Sequence, residues 1–273
     1  MTLRALAESL AREAGAVLRR KFAETRTVEF KGNRTDLVTD ADRASEEVIL
    51  SRLRAEVPTH AVLAEESGAV GQGDFLWLVD PLDGTVNYAH GVPHFCVSIA
   101  VEGPVSATER ALLASAIYDP IRDELFSAAR GEGAWLEGRR LRCTNVPDLG
   151  HALLCTGFPY DLEAHPEAPL GLFLRLVKQS QGMRRMGSAA LDLAYVAAGR
   201  FDAFFEFGLK PWDTAAGALL VMEAGGHMRS IDASPFSPLV GDVLAFGPGL
   251  ERDFSENCAA YAKEIGWAPR PFR

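Results

Sequence analysis

The sequence predicts an α/β layered fold in two halves, and three observations carry that expectation. Helical amphipathic spacing opens the chain, short apolar runs broken by Gly, Pro and acidic turns fill its first half, and helix and strand patterns alternate more regularly after residue 150. With 273 residues, 48% of them apolar, the chain can bury a sizeable core as one large domain or two intimate halves. Its formal charge of -9, from 28 Lys and Arg against 37 Asp and Glu, gives no electrostatic footprint for nucleic acid or an anionic membrane. An anionic substrate would need cations recruited locally.

Taken in order, Leu3, Leu6, Leu10, Ala14 and Leu18 fall at three- and four-residue steps, predicting an amphipathic helix over 2–24 rather than a signal peptide. A short strand and turn follow in "TVEFKGNRTDLVTDAD", then a second amphipathic helix, "DRASEEVILSRLRAEV", which Asp40 or Asp42 could help cap. "AVLA", "FLWLV", "HFCVSIAVE" and "ALLASAIYD" read as strands, and "ELFSAARGEGAWLEGRRL" as a hairpin with glycines at its turns. The first half is thus a helix pair on a mostly antiparallel sheet. In the second half "ALLCTG", "FDAFFEF" and "DVLAFG" read as strands, while "LGLFLRLVKQS", "SAALDLAYVAAG", "WDTAAGALLVMEAGG" and a final segment read as helices. Pro and Gly punctuate a composition change in "NVPDLG" (145–150), so the expected halves are 1–147 and 148–273. No fixed repeat or low-complexity tract interrupts them. Cys96, Cys143, Cys155 and Cys258 are scattered and read as reduced thiols. No run approaches the roughly 18 apolar residues of a membrane span, so a cytoplasmic location is expected.

Chemistry concentrates in "FLWLVDPLDGTVNYAHG" (75–91), where an almost wholly apolar strand runs into Asp80 and Asp83. Such a strand is buried on both faces, and its carboxyl end is where side chains can reach a cleft. Pro81 and Gly84 make the bend, and the Leu82 carbonyl can point the way the two carboxylates point. Two carboxylates and a carbonyl suit Mg2+, although aspartates beside Gly and Pro also serve as capped turns. Two further stretches weigh for a metal. "AVLAEESG" ends another apolar segment in Glu65 and Glu66, of which one is expected to point inward because adjacent side chains diverge. In "GLKPWDTAAGALLVMEAGG", Asp213 opens a long apolar helix; it could cap the first turn, or, bracketed by Pro211 and Trp212, serve as a fixed ligand. Three acidic clusters at strand ends or helix starts, with no cysteine metal motif, make the pattern of a two-metal phosphoryl site.

Three motifs in order, "AEESG" (64–68), "WLVDPLDGTVNY" (77–88) and "GLKPWDTAAG" (208–217), resemble those of the inositol monophosphatase family, its bacterial members above all. "DLVTDAD" (36–42), "CTGFPYD" (155–161) and "RRMGSAALDLAYVAAGRFDAFFE" (184–206) extend the resemblance over nearly the whole chain. It implies a five-layer α-β-α-β-α sandwich of the inositol monophosphatase and fructose bisphosphatase type, commonly a homodimer. The implied activity is a Mg2+-dependent, usually lithium-sensitive phosphomonoesterase with two to three ions per site. Carried over by position, Glu65, Asp80 and the Leu82 carbonyl would hold the first metal. Asp80, Asp83 and Asp213 would hold the second, and a third, weaker ion would lie near Glu65 and water. Gly84 and Thr85 would offer backbone N–H groups to the phosphate at a helix start. Thr85, paired with Asp42, would orient the attacking water, with Glu65 beside them in the catalytic group. Gly187, Ser188, Ala189 and Glu206, with Asp83 and Asp213, would meet the substrate.

Other residues distract. His90 and His94 flank the phosphate motif but are expected to pack rather than to transfer protons. Arg184 and Arg185 read first as a structural or subunit-interface pair and otherwise as a clasp for a second phosphate, Lys31 as a residue of the site edge, and Lys210 as facing the far side of the substrate, where it could favour extra negative charge. "GEGAW" lacks a following helix and reads as a turn. The leading expectation is hydrolysis of inositol monophosphate or a close polyol phosphate, a small-molecule monoester, with no direct nucleic-acid or membrane partner. Fructose 1,6-bisphosphate, histidinol phosphate and phosphoadenosine phosphate are alternative substrates. A binding partner of the transcription machinery is the alternative of another class.

Overall fold

The computed structural model of the protein describes residues 1–24, 28–30, 37–268 and 272. Helix α1 (Leu3–Phe22) buries Leu6, Leu10, Ala14 and Leu18 along one stripe, as the spacing predicts. The Thr2 side chain caps its first turn by accepting the Ala5 N–H at 3.2 Å, and Arg19, Arg20 and Lys21 sit in its last turn, where the helix dipole favours cations. A two-stranded antiparallel ribbon, β1 (Val28–Phe30) and β2 (Leu37–Thr39), leads into α2 (Asp40–Glu56). Of the two expected aspartates, Asp42 helps to cap it. Thr39 is the N-cap, and Asp42, at the third helical position, closes a capping box by accepting the Thr39 N–H at 2.8 Å.

An eight-stranded sheet follows: β3 (Ala61–Ala64), β4 (Gly68–Val70), β5 (Leu76–Asp83), β6 (Cys96–Pro104), β7 (Arg110–Asp119), β8 (Glu124–Ala129), β9 (Gly133–Leu136) and β10 (Arg139–Arg140), with the short helix α3 (Thr85–Ala89) after β5. The spatial order is β10-β9-β8-β7-β6-β5-β3-β4, antiparallel except between β3 and β5. Glu223 clasps the β8–β9 turn through the Gly131 and Gly133 N–H groups, each at 2.8 Å, so "GEGAW" is a hairpin turn.

The second half supplies β11 (Leu153–Thr156), α4 (Glu167–Val177), β12 (Gly182–Arg184), α5 (Ala189–Ala197), β13 (Ala203–Glu206), α6 (Pro211–Glu223), β14 (His227–Ser230), β15 (Val243–Phe246) and α7 (Glu256–Glu264). Its five-stranded sheet runs β12-β11-β13-β15-β14, with β11 parallel to both neighbours and β15 antiparallel to both of its own. Strands β4, β12 and β14 carry no apolar run long enough to announce them in the sequence.

Alternation along the strands sets the layers. In β5, Trp77 and Val79 pack with Leu10 and Ile49 of α1 and α2, while Leu78 packs with α5 and α6. In β13, Phe204 faces α5 and α6, while Ala203 and Phe205 pack with Leu172 of α4 and Phe254 and Cys258 near α7. The order is therefore helix pair, sheet, helix pair, sheet, helix pair: the five-layer α-β-α-β-α sandwich. The central helices touch both sheets, and every residue of α5 is buried. Small residues make this possible. A side chain at Gly217 of α6 would press to 2.3 Å from Leu193 of α5. Among the described residues, no helix is long and apolar enough to cross a membrane.

Candidate active site

A cleft of about 280 Å3 opens where the ends of β5 and β13 meet the starts of α5 and α6. It gathers Glu65, Asp80, Leu82, Asp83, Gly84, Thr85, Gly187, Ser188, Ala189, Glu206 and Asp213, all expected site residues; Asp42 stands behind Thr85. A larger, shallower groove of about 1270 Å3 between α4 and α7 has three acids set among two arginines and a lysine, and none of these candidates reaches it.

The end of β5 is the key construction. Asp80 pairs with Ser98 and Asp83 with Cys96, so three steps on β5 answer two on β6. Residues three apart on a regular strand point to opposite faces; the extra residue of the bulge brings both aspartates to one. The bend turns the Pro81 carbonyl to the Ser45 hydroxyl at 2.7 Å and leaves the Leu82 carbonyl at the cleft, accepting from the Thr85 hydroxyl at 3.0 Å. Glu65 follows β3, whose parallel register beside β5 pairs Ala64 with Val79 and so sets Glu65 next to Asp80. Its neighbour Glu66 does not line the cleft; the Glu66 N–H donates to Glu46 at 3.0 Å. Asp213 comes from α6, whose start is tied to the first sheet by Ser98 donating to the Trp212 carbonyl at 3.2 Å. It also does the capping work, its Oδ2 accepting the Lys210 N–H at 2.7 Å.

These carboxyls are costly as anions. Burial pushes Asp80 well above the usual carboxylate range, and Glu65, Asp83 and Asp213 push further. Asp213 is raised by burial and then by Asp83 and Glu65. Asp83 is raised by burial but held back by donors: its Oδ2 accepts from the Ser188 hydroxyl at 2.5 Å and the Ala190 N–H at 2.8 Å. The donor set is hard oxygen throughout, and the leading influences on Asp80 after burial are all anionic, which fits a divalent cation. Among the described residues, no group of three or more His, Cys, Asp or Glu is gathered closely enough to hold a metal ion.

Thr85 and Asp42 meet as expected, with Oγ1 to Oδ1 at 3.2 Å. Burial lifts Asp42 to about 7 against the opposing hydrogen bonds from Thr39. Gly84 adopts φ 93°, and a side chain there would crowd the His94 carbonyl at 3.0 Å, so the turn needs glycine. The helix that Gly84 and Thr85 open has only five residues, too short for the dipole argument; what remains is their backbone N–H groups.

On the opposite wall Glu206 ends β13, its carboxyl raised by burial and by Asp192 and lowered by Arg185. A side chain at Gly157 would collide with the Glu206 carboxylate at 2.1 Å. Sequence reasoning missed this pairing, the Ser188 grip on Asp83, and Tyr160 and Arg185 in the lining. The two arginines separate: Arg184 ends the edge strand β12, while Arg185 turns to the cleft. Lys210 lines the cleft too. His94 is buried against Tyr195, with both ring nitrogens unpartnered and its pKa depressed to about 4 by burial; His90 is exposed. Lys31 lies outside the described residues.

The sequence model of the inositol monophosphatase family matches residues 1–266. The chain belongs to the inositol monophosphatase family. Within it, the chain is 48% identical over 231 residues to the Nus factor SuhB of Pseudomonas aeruginosa, covering 82% of this chain and 83% of that protein. It is 41% identical over 249 residues to the inositol-1-monophosphatase of Synechocystis, covering 90% and 85%. A solved inositol monophosphatase from Anabaena superposes with a TM-score of 0.83 at 39% identity, covering 97% of this chain and 96% of that one. Family members are phosphatases and generally metal-dependent.

Proposed function

We propose that the chain is a Mg2+-dependent phosphomonoesterase that releases phosphate from inositol monophosphate or a close polyol phosphate. The observation that carries this reading is the β5 bulge, which turns Asp80 and Asp83 into one cleft with Glu65 and Asp213. Glu65, Asp80 and the Leu82 carbonyl would hold one ion, and Asp80, Asp83 and Asp213 a second. Bound there, the ions supply charge neutralisation for the phosphate and acidify water.

The chain's own groups do the rest. The Gly84 and Thr85 backbones offer N–H donors where the phosphate oxygens arrive. Thr85 Oγ1, held by Asp42 and the Leu82 carbonyl, orients a water for in-line attack. Asp42, poised near neutrality, accepts a proton through the Thr85 hydroxyl. Asp83 and Glu206 face the alcohol, where Glu206 meets vicinal hydroxyls; the buried wall excludes bulk water.

Phosphate release from inositol 1-phosphate, fructose 1,6-bisphosphate, histidinol phosphate and phosphoadenosine phosphate, each with and without Mg2+, tests the reading. Mg2+-dependent preference for inositol 1-phosphate is expected; preference for another ester would keep the site and replace the substrate. A second reading, a binding partner of the transcription machinery, is favoured by relatives that carry the name Nus factor. Such binding should survive Asp83→Asn, while hydrolysis should not.

A further inference from the structure

The rim of the cleft holds a contact that the hydrolysis does not use. Lys210 and Trp212 line the cleft on either side of Pro211, at the start of α6. Phe272, remote in sequence, reaches both. Its ring meets Trp212 edge to face, with centroids 5.6 Å apart and planes at 82°. The Lys210 ammonium lies 5.6 Å from the centre of the same ring. The Phe272 N–H donates to the Leu239 carbonyl at 2.6 Å, anchoring the ring by its backbone. At the other end of the contact, the Lys210 N–H is tied to Asp213, so only the lysine side chain is left to swing.

Among the described residues, Lys210 and Arg185 are the cations lining the cleft, against the carboxyls of Glu65, Asp80, Asp83, Glu206 and Asp213. Arg185, itself exposed, acts on Glu206 and Asp192. Lys210 is the lining cation that the Phe272 ring contacts, so its placement bears on what charge a substrate can carry beyond its scissile phosphate. We infer that Phe272 is a specificity-determining residue: by holding the Lys210 ammonium on its ring, it favours esters with one phosphate on a neutral alcohol over those with a second phosphate. The ring quadrupole attracts the ammonium, and a second phosphate has to draw it away. Without the ring, Lys210 is a flexible stem ending in a hydrated point charge, free to meet that phosphate. The inference rests on the phosphomonoesterase reading.

The test compares wild type, Phe272→Ala, Lys210→Met and the double variant on inositol 1-phosphate and fructose 1,6-bisphosphate. Phe272→Ala should raise the ratio of kcat/KM for the bisphosphate over the monophosphate about two- to fivefold, the worth of an exposed cation–π contact. The gain should appear in KM and vanish in the Lys210→Met background. Acetylation of Lys210 by acetic anhydride, read by peptide mass, should quicken by a similar factor in Phe272→Ala. An unchanged ratio, a gain that persists without Lys210, or equal labelling in an active enzyme overturns the role of Phe272. A wild-type chain that releases phosphate from no ester overturns the phosphatase reading, and the selectivity with it.

Discussion

The two walls of the cleft are built differently. One wall takes Glu65, Asp80, Asp83 and Thr85 from a short stretch of chain on two adjacent strands, whose parallel register and single bulge fix the spacing. The facing wall collects Gly157, Ser188, Glu206, Lys210 and Asp213 from separate segments of the second half. Strand ends locked into an eight-stranded sheet hold reacting groups with little freedom, whereas dispersed loops and helix starts can change one at a time. On the proposed reading, most of the reacting groups sit on the constrained wall, and the assembled wall adds Asp213 to them while carrying most of the choice of substrate.

The sharpest break of that comparison is Asp83→Asn, because Asp83 stands on the first wall and is gripped by Ser188 and Ala190 of the second. Hydrolysis of inositol 1-phosphate in Mg2+ should fall by about 10^2- to 10^3-fold with the far-UV spectrum unchanged. A loss below tenfold would take the strand-end wall out of the chemistry. Next in size is Asp42→Asn, expected to cost about 10^2-fold. Burial raises Asp42 to about 7, so below that pH it carries a proton and cannot accept another. Activity should therefore climb as pH rises through about 7, or lower once bound cations favour the carboxylate, and the variant should lose this ascending limb. A wild-type profile flat from roughly pH 5 to 8 would remove Asp42 from proton transfer.

The recognition wall predicts a different signature. Gly157→Ala would drive a methyl group into Glu206. KM should rise about tenfold, the worth of one hydrogen bond, with kcat nearly kept. If kcat fell instead and KM held, the walls would not divide the work as described.

The same division explains what the sequence showed. Strands such as "FLWLV" and the alternation "FDAFFEF" announced the sheets, because burial on two faces demands apolar runs; β4, β12 and β14, three or four residues each, had no such run. The acids of the first wall were legible because they fall within short motifs. Even there the bulge was not, since "DPLDG" reads equally as a turn, and the pairing of Asp80 with Ser98 and Asp83 with Cys96 exists only across strands. Ser188 was placed by position as a substrate contact, yet its hydroxyl is spent on Asp83. Gly157 stood inside "CTGFPYD" with no role of its own: its need for a missing side chain comes from Glu206, in a distant segment. Contacts made between distant segments leave no spacing to read.

The smallest expected effect joins the walls again, because Asp213 comes from the second half and Asp80 and Asp83 from the first. Burial raises all three above the range in which the unfolded chain's aspartates ionise, about pH 4, so the folded chain binds their protons more tightly. The folded state thus binds more protons, so without divalent cations stability falls as pH rises, and Tm in EDTA should be lower at pH 8 than at pH 6. About 2–4 °C per kcal/mol is the scale to look for by calorimetry. Mg2+ should raise Tm more at pH 8, because its ligands must first lose those protons. Asp213→Asn removes one of the three and should shrink both differences, showing that the second wall shares the charge of the first. A Tm in EDTA that rises with pH would mean that the three carboxyls are not desolvated together, and the proposed donor set would fail with them.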